Sequence, residues 1–290
     1  MLIFQLKSQE SKINYYYNNN GILYNKQSKM KIGNVSSMEY KDISNYTSNY
    51  ILHKLIADYE MNLIYVPFNS NYYFQRDKSL EQCIVLASKD IEYNPRCLIL
   101  IQGAGHVKLG VWSNKACINE GLNKGSMLPF VQIAKNKGYS ILIMNPNERF
   151  GLDGKNENIF QNMKEHCEYV YKNIIYQNKN IKEISFISHS LGGECNVEIL
   201  KKFEEDLLKG RIKKIAFTDS LHGGAFLDLS KEGIQIFSKI SRNFVASKEE
   251  KGKYLENLSQ FSGCGIYSSG TNQHEYTTGV AIDLIFNFLD

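Results

Sequence analysis

The sequence predicts a single α/β domain with a mostly parallel, doubly wound sheet, helices on both faces and an N-terminal helical or irregular extension. Short apolar runs of strand length alternate with amphipathic stretches of helix length, which is the pattern of a parallel sheet. The apolar runs lack strict alternation of apolar and polar residues, as expected for strands covered on both faces. The length of 290 residues is within the range that one such domain fills.

The N-terminal part of the chain differs from the rest. Residues 1–35 are polar, and the biased run Tyr15–Asn20 has no helical period, so we predict a flexible or irregular arm. Residues 36–290 form the predicted α/β domain. Its first element is a helix over residues 39–60, where apolar side chains recur near helical spacing.

The elements of the sheet follow from position 83 onward. The predicted strands are Cys83–Ala87, Cys97–Gln102, Tyr139–Asn145, Ile184–Ser188, Lys214–Thr218 and Gly265–Ser268. The predicted helices span residues 126–137, 158–178, 191–208, 231–241 and 277–289. Strands and helices alternate along the chain, so parallel neighbours joined by helical crossovers are expected.

Charge and hydropathy exclude several classes of function. The net charge is +4, without the clustered lysines and arginines that nucleic-acid binding needs, so no direct nucleic-acid site is predicted. No stretch reaches the roughly 18 to 20 apolar residues that a membrane span requires, and the N-terminus lacks the core of a signal peptide. We therefore expect an intracellular protein, nuclear or cytoplasmic.

Cysteine and histidine spacing gives no metal or disulfide framework. The six cysteines are scattered without a C-x-x-C pair, which favours a reducing compartment without structural disulfides. The histidines are dispersed and form no H-E-x-x-H motif. A nucleotide fingerprint beginning at Gly103 fails because Lys108 occupies the third glycine position. Neither a metal nor a cofactor is predicted.

The segment around Ser190 carries the chemistry. An apolar strand leads into Ser188–Gly193, with the sequence SHSLGG, and a predicted helix follows. This is the layout of the nucleophile elbow of α/β hydrolases, usually written G-x-S-x-G. The tight turn crowds the residues two before and two after the serine; Gly192 fits this requirement, and Ser188 departs from the usual glycine but is small. The predicted fold is therefore α/β-hydrolase-like, although serine and glycine also make ordinary strand–turn–helix connections.

A base and an acid are present in the order that this fold uses. A serine hydroxyl needs a base, and the base needs an orienting acid. Asp219 directly follows the strand Lys214–Thr218, and His274 lies in a loop after Gly265–Ser268. Both positions are at the carboxyl ends of strands, where open sheets bind ligands. We predict that Ser190, Asp219 and His274 form a catalytic triad in the order serine, acid, histidine.

Two alternatives to this assignment stay open. His222 lies three residues past Asp219 and is a rival base or a pocket residue. Asp228 is a rival acid. The acid and the base normally come from different loops, which favours Asp219 with His274.

The predicted oxyanion hole combines two loops. One donor is the backbone N–H after the nucleophile, at Leu191, and the other comes from an early strand–helix loop. That loop is Gln102–His106, in which Gly103 or Ala104 is the second donor. The remaining pocket candidates are Gly105, His106, His189, Gly192, His222 and Glu148. The side chain of His189 is expected to point away from its neighbour Ser190, and Glu148 is expected on the same rim, where it shapes the pocket or pairs with Arg149.

Five segments resemble one known family: residues 98–130, 138–148, 186–193, 217–224 and 270–275. They contain Q-G-x-G, I-N-E at 118–120, N-P-N-E and H-S-x-G-G, in that order. The segments resemble the Argonaute-binding-protein-two domain family, which includes the animal cotranscriptional regulator proteins, over residues 20–290. The resemblance implies an α/β-hydrolase fold with Ser190, Asp219 and His274 as nucleophile, acid and base. It also implies Argonaute, chromatin or splicing proteins as partners, in heterochromatin silencing by small RNA and in cotranscriptional regulation.

Two functions follow from the sequence. The first is a serine hydrolase whose small acyl substrate is an ester or thioester. The second is a catalytically silent scaffold or binding module in an Argonaute or chromatin complex. The first uses every residue of the predicted triad, whereas the second needs only the fold and the pocket beside Ser190, without its chemistry.

Overall fold

The computed structural model describes residues 14–33, 35–68, 74–77, 79–148, 159–256 and 262–290. The strands are β1 Tyr15–Tyr17, β2 Leu23–Asn25, β3 Asn62–Val66, β4 Cys83–Ala87, β5 Arg96–Ile101, β6 Ser140–Ile143, β7 Glu183–His189, β8 Ile212–Thr218, β9 Ser241–Val245 and β10 Gly265–Ser268. The helices are α1 Ser37–Ala57, α2 Asn114–Asn119, α3 Leu122–Gly125, α4 Leu128–Asn136, α5 Met163–Val170, α6 Gly192–Lys202, α7 Glu204–Leu208, α8 Lys231–Ile240, α9 Thr277–Val280 and α10 Ile282–Leu289. A π-helical turn, Tyr171–Tyr176, continues α5.

The central sheet has eight strands in the order β10-β9-β8-β7-β5-β6-β4-β3. Strand β4 runs antiparallel to both of its neighbours, and the pairs from β6 to β10 are parallel. This order, with one reversed strand near an edge, is that of the α/β-hydrolase fold. The predicted fold class is confirmed, and all six predicted strands are present.

Two hydrophobic cores cover the two faces of the sheet. Along β5, Cys97, Ile99 and Ile101 pack into one core, whereas Leu98 and Leu100 pack into the other. Successive side chains of a strand point to opposite faces, so a strand buried on both sides must be apolar throughout. That is why these strands appear in the sequence as continuous apolar runs.

Strands β3 and β9 were not predicted from the sequence. Strand β9 has the sequence SRNFV, in which Ser241 and Asn243 are polar but buried. It begins directly after α8, without a turn residue between them. Its place between β8 and β10 is set by backbone pairing with those strands, which leaves little trace in a local hydrophobic pattern.

The N-terminal arm is more ordered than predicted where the structure describes it; residues 1–13 lie outside the described residues. Strands β1 and β2 pair antiparallel as a hairpin. Tyr17 packs its ring against Tyr46 and Tyr50 of α1, and its hydroxyl lies 2.8 Å from the Thr47 hydroxyl. The tyrosines that bias the composition of the arm thus attach it to the first helix.

Three predicted helices are interrupted. The segment 191–208 divides at Phe203 into α6 and α7, and the segment 277–289 divides at Ala281 into α9 and α10. The segment 158–178 contains α5 and then the π-helical turn Tyr171–Tyr176. Helices α2 and α3, of six and four residues, were not predicted because they are too short to show a helical period.

The guanidinium of Arg211 closes the end of the π-helical turn. It forms a salt bridge with Asp206, in which the side chains are only 13% and 6% exposed. Its other N–H groups donate to the backbone carbonyl oxygens of Ile175, Asn178 and Ile181, at 2.8, 2.6 and 2.9 Å. A single charged group therefore satisfies both a buried carboxylate and the carbonyls of an irregular helix end.

All six cysteines are free and buried. No helix among the described residues combines the length and apolar character needed to cross a membrane. In the same part of the chain, no group of three or more histidine, cysteine or acidic side chains is arranged to hold a metal ion.

Candidate active site

Ser190 lies at the turn between β7 and α6. Its φ is +52°, a left-handed conformation that costs energy for a residue other than glycine. Its backbone N–H donates to Thr218 O at 3.1 Å, which attaches the turn to strand β8. A β-carbon on Gly192 would lie 2.7 Å from the backbone oxygens of Ile101 and Gln102. The elbow therefore requires glycine there, as the sequence pattern indicates.

Asp219 and His274 contact each other at the carboxyl ends of β8 and β10. His274 Nδ1 lies 2.7 Å from Asp219 Oδ2, and the Ala246 N–H donates to Asp219 Oδ1 at 3.1 Å. Because the carboxylate accepts at Nδ1, the proton of the neutral imidazole is held on that nitrogen. The Nε2 atom of His274 is then free to act as a base.

The two groups change each other's proton affinity. Burial alone would raise the pKa of Asp219, but the hydrogen bonds from His274 and from the Ala246 N–H outweigh it and lower that pKa. The hydrogen bond to Asp219 raises the pKa of His274, and partial burial opposes this rise. The imidazolium form of His274 and the carboxylate form of Asp219 therefore stabilise each other, and this pair of charges is the one that a general base reaches during catalysis.

Replacing Asp219 with asparagine should lower the pKa of His274, because the carboxylate that favours the charged imidazole is lost. A base works only when deprotonated, so activity in the wild type should rise with pH through the raised pKa of His274. This rising part of the pH–activity profile should move to lower pH in Asp219→Asn. An NMR titration of the His274 Cε1–H resonance measures the shift directly, with the His222 resonance as an internal control. An unchanged His274 pKa would contradict the assignment.

Ser190 and His274 line one cavity of about 320 Å³. Ser190 is 9% exposed, and its hydroxyl makes no hydrogen bond to any described residue, His274 included. Such contacts are often long in ligand-free enzymes and shorten when substrate binds. The structure thus brings the three predicted triad residues to one edge of the sheet, with the acid–base contact formed.

The predicted oxyanion-hole residues surround Ser190. Within the described residues, the backbone N–H groups of Leu191 and Ala104 have no hydrogen-bond acceptor. Gly103 passes so close that a β-carbon there would lie 2.9 Å from Ser190 Cβ. Gly103 and Ala104 both line the cavity. Unpartnered N–H groups beside a nucleophile are what a developing oxyanion requires, and that of Leu191 also lies at the N-terminus of α6.

The expectation that His189 points away from the nucleophile was wrong. Its ring lies 4.7 Å from the His274 ring and lines the Ser190 cavity. In a regular strand, neighbouring side chains point to opposite faces, but the left-handed backbone of Ser190 breaks that alternation. His189 Nδ1 donates to Thr218 O at 3.0 Å. Burial lowers the pKa of His189 to about 4, so the ring is neutral near pH 7.

The other pocket candidates separate into two groups. Gly105 and His106 line the Ser190 cavity, and Glu148 lines a neighbouring cavity instead; its suggested partner Arg149 lies outside the described residues. Gly192 lies beneath the elbow and packs on strand β5. His222 faces elsewhere.

Both rivals of the proposed acid and base have other partners. His222 is buried, with Nδ1 2.8 Å from the Ser220 hydroxyl and Nε2 3.0 Å from Ser262 O. Asp228 forms a salt bridge of 2.7 Å with Lys201. Neither lines the Ser190 cavity.

Several residues of the cavity were not predicted from the sequence. Lys115 of α2 lies 3.3 Å from the carboxylate of Glu275, the residue that follows His274. Tyr40 of α1 also lines the cavity. Glu275 could have been predicted in the cavity, because it directly follows His274. Lys115 and Tyr40 could not, because the short helix α2 and the position of α1 over the sheet depend on tertiary packing.

Comparisons with known proteins agree with this architecture. A family model described as the Arb2 domain matches residues 3–161 and 152–251. A relative in Dictyostelium discoideum, "Cotranscriptional regulator ARB2A homolog", is 26% identical over 95% of this chain and 77% of its own length. The human protein "Cotranscriptional regulator ARB2A" is 24% identical over 86% of this chain and 70% of its own length.

Two solved structures share the fold. "A histone deacetylase from Saccharomyces cerevisiae" superimposes with a TM-score of 0.53 and 14% identity, over 88% of this chain and 98% of that one. The "Structure of the histone deacetylase Clr3" gives a TM-score of 0.51 and 17% identity, over 89% of this chain but 39% of that one. At this level of identity the likeness concerns the fold alone.

Proposed function

The chain belongs to the Arb2 domain family, and from that premise we propose that it is a serine hydrolase of small acyl esters or thioesters. Ser190 is the proposed nucleophile, His274 its general base and Asp219 the residue that orients His274. The hydrogen bond of 2.7 Å between His274 and Asp219, beside the cavity that His274 shares with Ser190, carries the proposal. The α/β-hydrolase fold supports it, because the order serine, acid, histidine is the one that this fold uses.

In the proposed reaction, Ser190 Oγ forms a bond to the acyl carbon while His274 Nε2 takes the hydroxyl proton. The N–H groups of Leu191 and of Gly103 or Ala104 donate to the oxyanion that develops on the carbonyl oxygen. The bond to the leaving alkoxide or thiolate then breaks, and His274 gives the proton to it. Water, deprotonated by His274, then attacks the acyl carbon. The bond from that carbon to Ser190 Oγ breaks, His274 returns the proton to Ser190 Oγ, and the acid is released. Removing one oxyanion donor typically costs about 10²–10³ in rate.

A burst experiment tests this proposal. Rapid mixing of the protein with p-nitrophenyl butyrate should release about one equivalent of p-nitrophenol per chain before the slower steady state, because an acyl-enzyme accumulates. The burst should be absent in His274→Ala, since the hydroxyl then has no base. Steady release without a burst, unchanged in His274→Ala, would contradict the proposed mechanism.

A second role is favoured by the relatives, which are described as cotranscriptional regulators. We propose that this chain also acts in the nucleus, bound to an Argonaute, chromatin or splicing protein, and that this role does not need the chemistry of Ser190. Tagged wild type and Ser190→Ala should then co-purify with Argonaute to the same extent. Capture that is lost in Ser190→Ala would contradict a scaffold role that does not need the chemistry, and capture that is absent from both would exclude Argonaute as the partner.

A further inference from the structure

A second cavity of about 560 Å³ adjoins the Ser190 cavity. Residues Gly105, His106, Val107 and Asn114 line both cavities, so the two are contiguous across the loop after β5. The second cavity extends between helix α1 and the segment Asn145–Glu148 that follows β6. A ligand anchored there can therefore reach toward Ser190.

Three asparagines of this second cavity are held in one orientation each. Asn114 and Asn145 are 7% and 3% exposed, and Asn147 is half-buried. Their Nδ2 groups donate to backbone oxygens: Asn114 to His106 O at 2.9 Å, Asn145 to Ile84 O at 3.0 Å, and Asn147 to Gly103 O at 2.8 Å and to Val107 O at 3.0 Å. These bonds fix which side of each amide is the oxygen.

The Oδ1 atoms of these asparagines have no donor among the described residues. The Oδ1 of Asn114 is completely buried and therefore closed to a ligand, whereas those of Asn145 and Asn147 are not. An acceptor without a partner costs free energy, so a bound group with N–H or O–H donors on the Asn145 and Asn147 oxygens would relieve that cost. The wall of the cavity thus presents amide oxygens as acceptors, while the N–H groups of the same amides already donate to the backbone.

The same cavity contains the carboxylate of Glu148. It makes no ion pair with any described residue, and burial raises its pKa, whereas the charge of Lys108 opposes that rise. The exposed Lys41 and Lys108 also line the cavity, but exposed lysine ammonium groups remain hydrated. The less exposed part of the wall therefore offers amide oxygens and one carboxylate that forms no ion pair with a described residue.

We propose that this second cavity binds a primary alkylammonium group, with its N–H donors on the Asn145 and Asn147 oxygens and its charge opposite Glu148. A polyol would satisfy the amides but leave the carboxylate unneutralised, and an anion would face acceptors and a like charge. One further step rests on the proposed function: a substrate of Ser190 carries the ammonium group on its acyl chain.

Ligand binding can be measured without any turnover. In the wild-type chain labelled on asparagine, n-butylammonium chloride should shift the Asn114, Asn145 and Asn147 side-chain amide resonances saturably. Its dissociation constant should be at least about tenfold below those of n-butanol, tetramethylammonium and inorganic phosphate, because only the primary ammonium combines charge with N–H donors. Glu148→Gln should remove that preference, whereas Glu60→Gln, a change of the same kind at an exposed surface carboxylate, should keep it.

Equal binding of n-butylammonium and n-butanol, tighter binding of phosphate, or a preference that survives Glu148→Gln would overturn the site. The link to Ser190 is measured separately. In the wild type, the kcat/KM for p-nitrophenyl 6-aminohexanoate should exceed that for p-nitrophenyl hexanoate by about tenfold, and in Glu148→Gln the two values should be equal. Ammonium binding with equal values for both esters would overturn the link and leave the site. Ammonium binding without hydrolysis of either ester would instead count against the proposed hydrolase.

Discussion

Replacing Ser190 with alanine should lower the turnover of p-nitrophenyl butyrate by at least about 10³-fold, because members of a triad act as a unit. The hydroxyl that forms the acyl bond is lost, and neither His274 nor the oxyanion donors can replace it. The fold should be unaffected, since the Ser190 hydroxyl makes no hydrogen bond to a described residue and alanine tolerates the left-handed φ of +52° about as well as serine does. The measurement is steady-state kinetics with thermal unfolding of the same preparations.

The matched control is Ser238→Ala, which removes an exposed serine hydroxyl of helix α8 that, among the described residues, donates only to Gln235 O. It should keep both turnover and the unfolding temperature. A Ser190→Ala protein with wild-type turnover would refute Ser190 as the nucleophile, and an unfolded Ser190→Ala protein would refute the claim that the hydroxyl has no structural role.

Replacing Arg211 with methionine should lower the free energy of unfolding by about 3–5 kcal/mol, the usual cost of removing one partner of a buried ion pair. The change leaves the Asp206 carboxylate, 6% exposed, without its cation. It also removes the donors that satisfy the backbone oxygens of Ile175, Asn178 and Ile181. Urea unfolding followed by circular dichroism gives the value.

Two controls separate burial from charge. Lys89→Met breaks an ion pair with Glu60 whose side chains are 59% and 60% exposed, so its cost should be at most about 1 kcal/mol. Adding Asp206→Asn to Arg211→Met should recover part of the loss, because the uncompensated charge is then gone. Equal costs for Arg211→Met and Lys89→Met would show that the buried network adds nothing to stability.

The strands around the site could be predicted because their signal is local. Strands β4, β5 and β7 are buried on both faces, and continuous apolar runs are their direct consequence. The elbow was equally visible, since the crowding around Ser190 requires small residues at fixed offsets, including Gly192. Asp219 and His274 followed from their positions directly after strands.

The remaining features depend on contacts between distant parts of the chain. Strand β9 carries the polar Asn243 and is defined by its two neighbours, and hairpin β1–β2 is defined by tyrosine packing on α1. His189 turns into the cavity because of the backbone of the residue after it, which no pattern of residue types encodes. Glu148 was predicted on the same rim, and it lines the cavity that adjoins the Ser190 cavity across the loop after β5; that the space continues there depends on how this loop and α1 pack.

Reaction with a fluorophosphonate tests directly whether Ser190 is an activated nucleophile, because the reagent phosphonylates only serines whose proton a base can remove. The wild-type chain should take up one equivalent, and peptide mass spectrometry should place the adduct on Ser190, with labelling abolished in Ser190→Ala and strongly slowed in His274→Ala. A folded wild-type chain that stays unlabelled, or that is labelled equally after Ser190→Ala, would contradict the account.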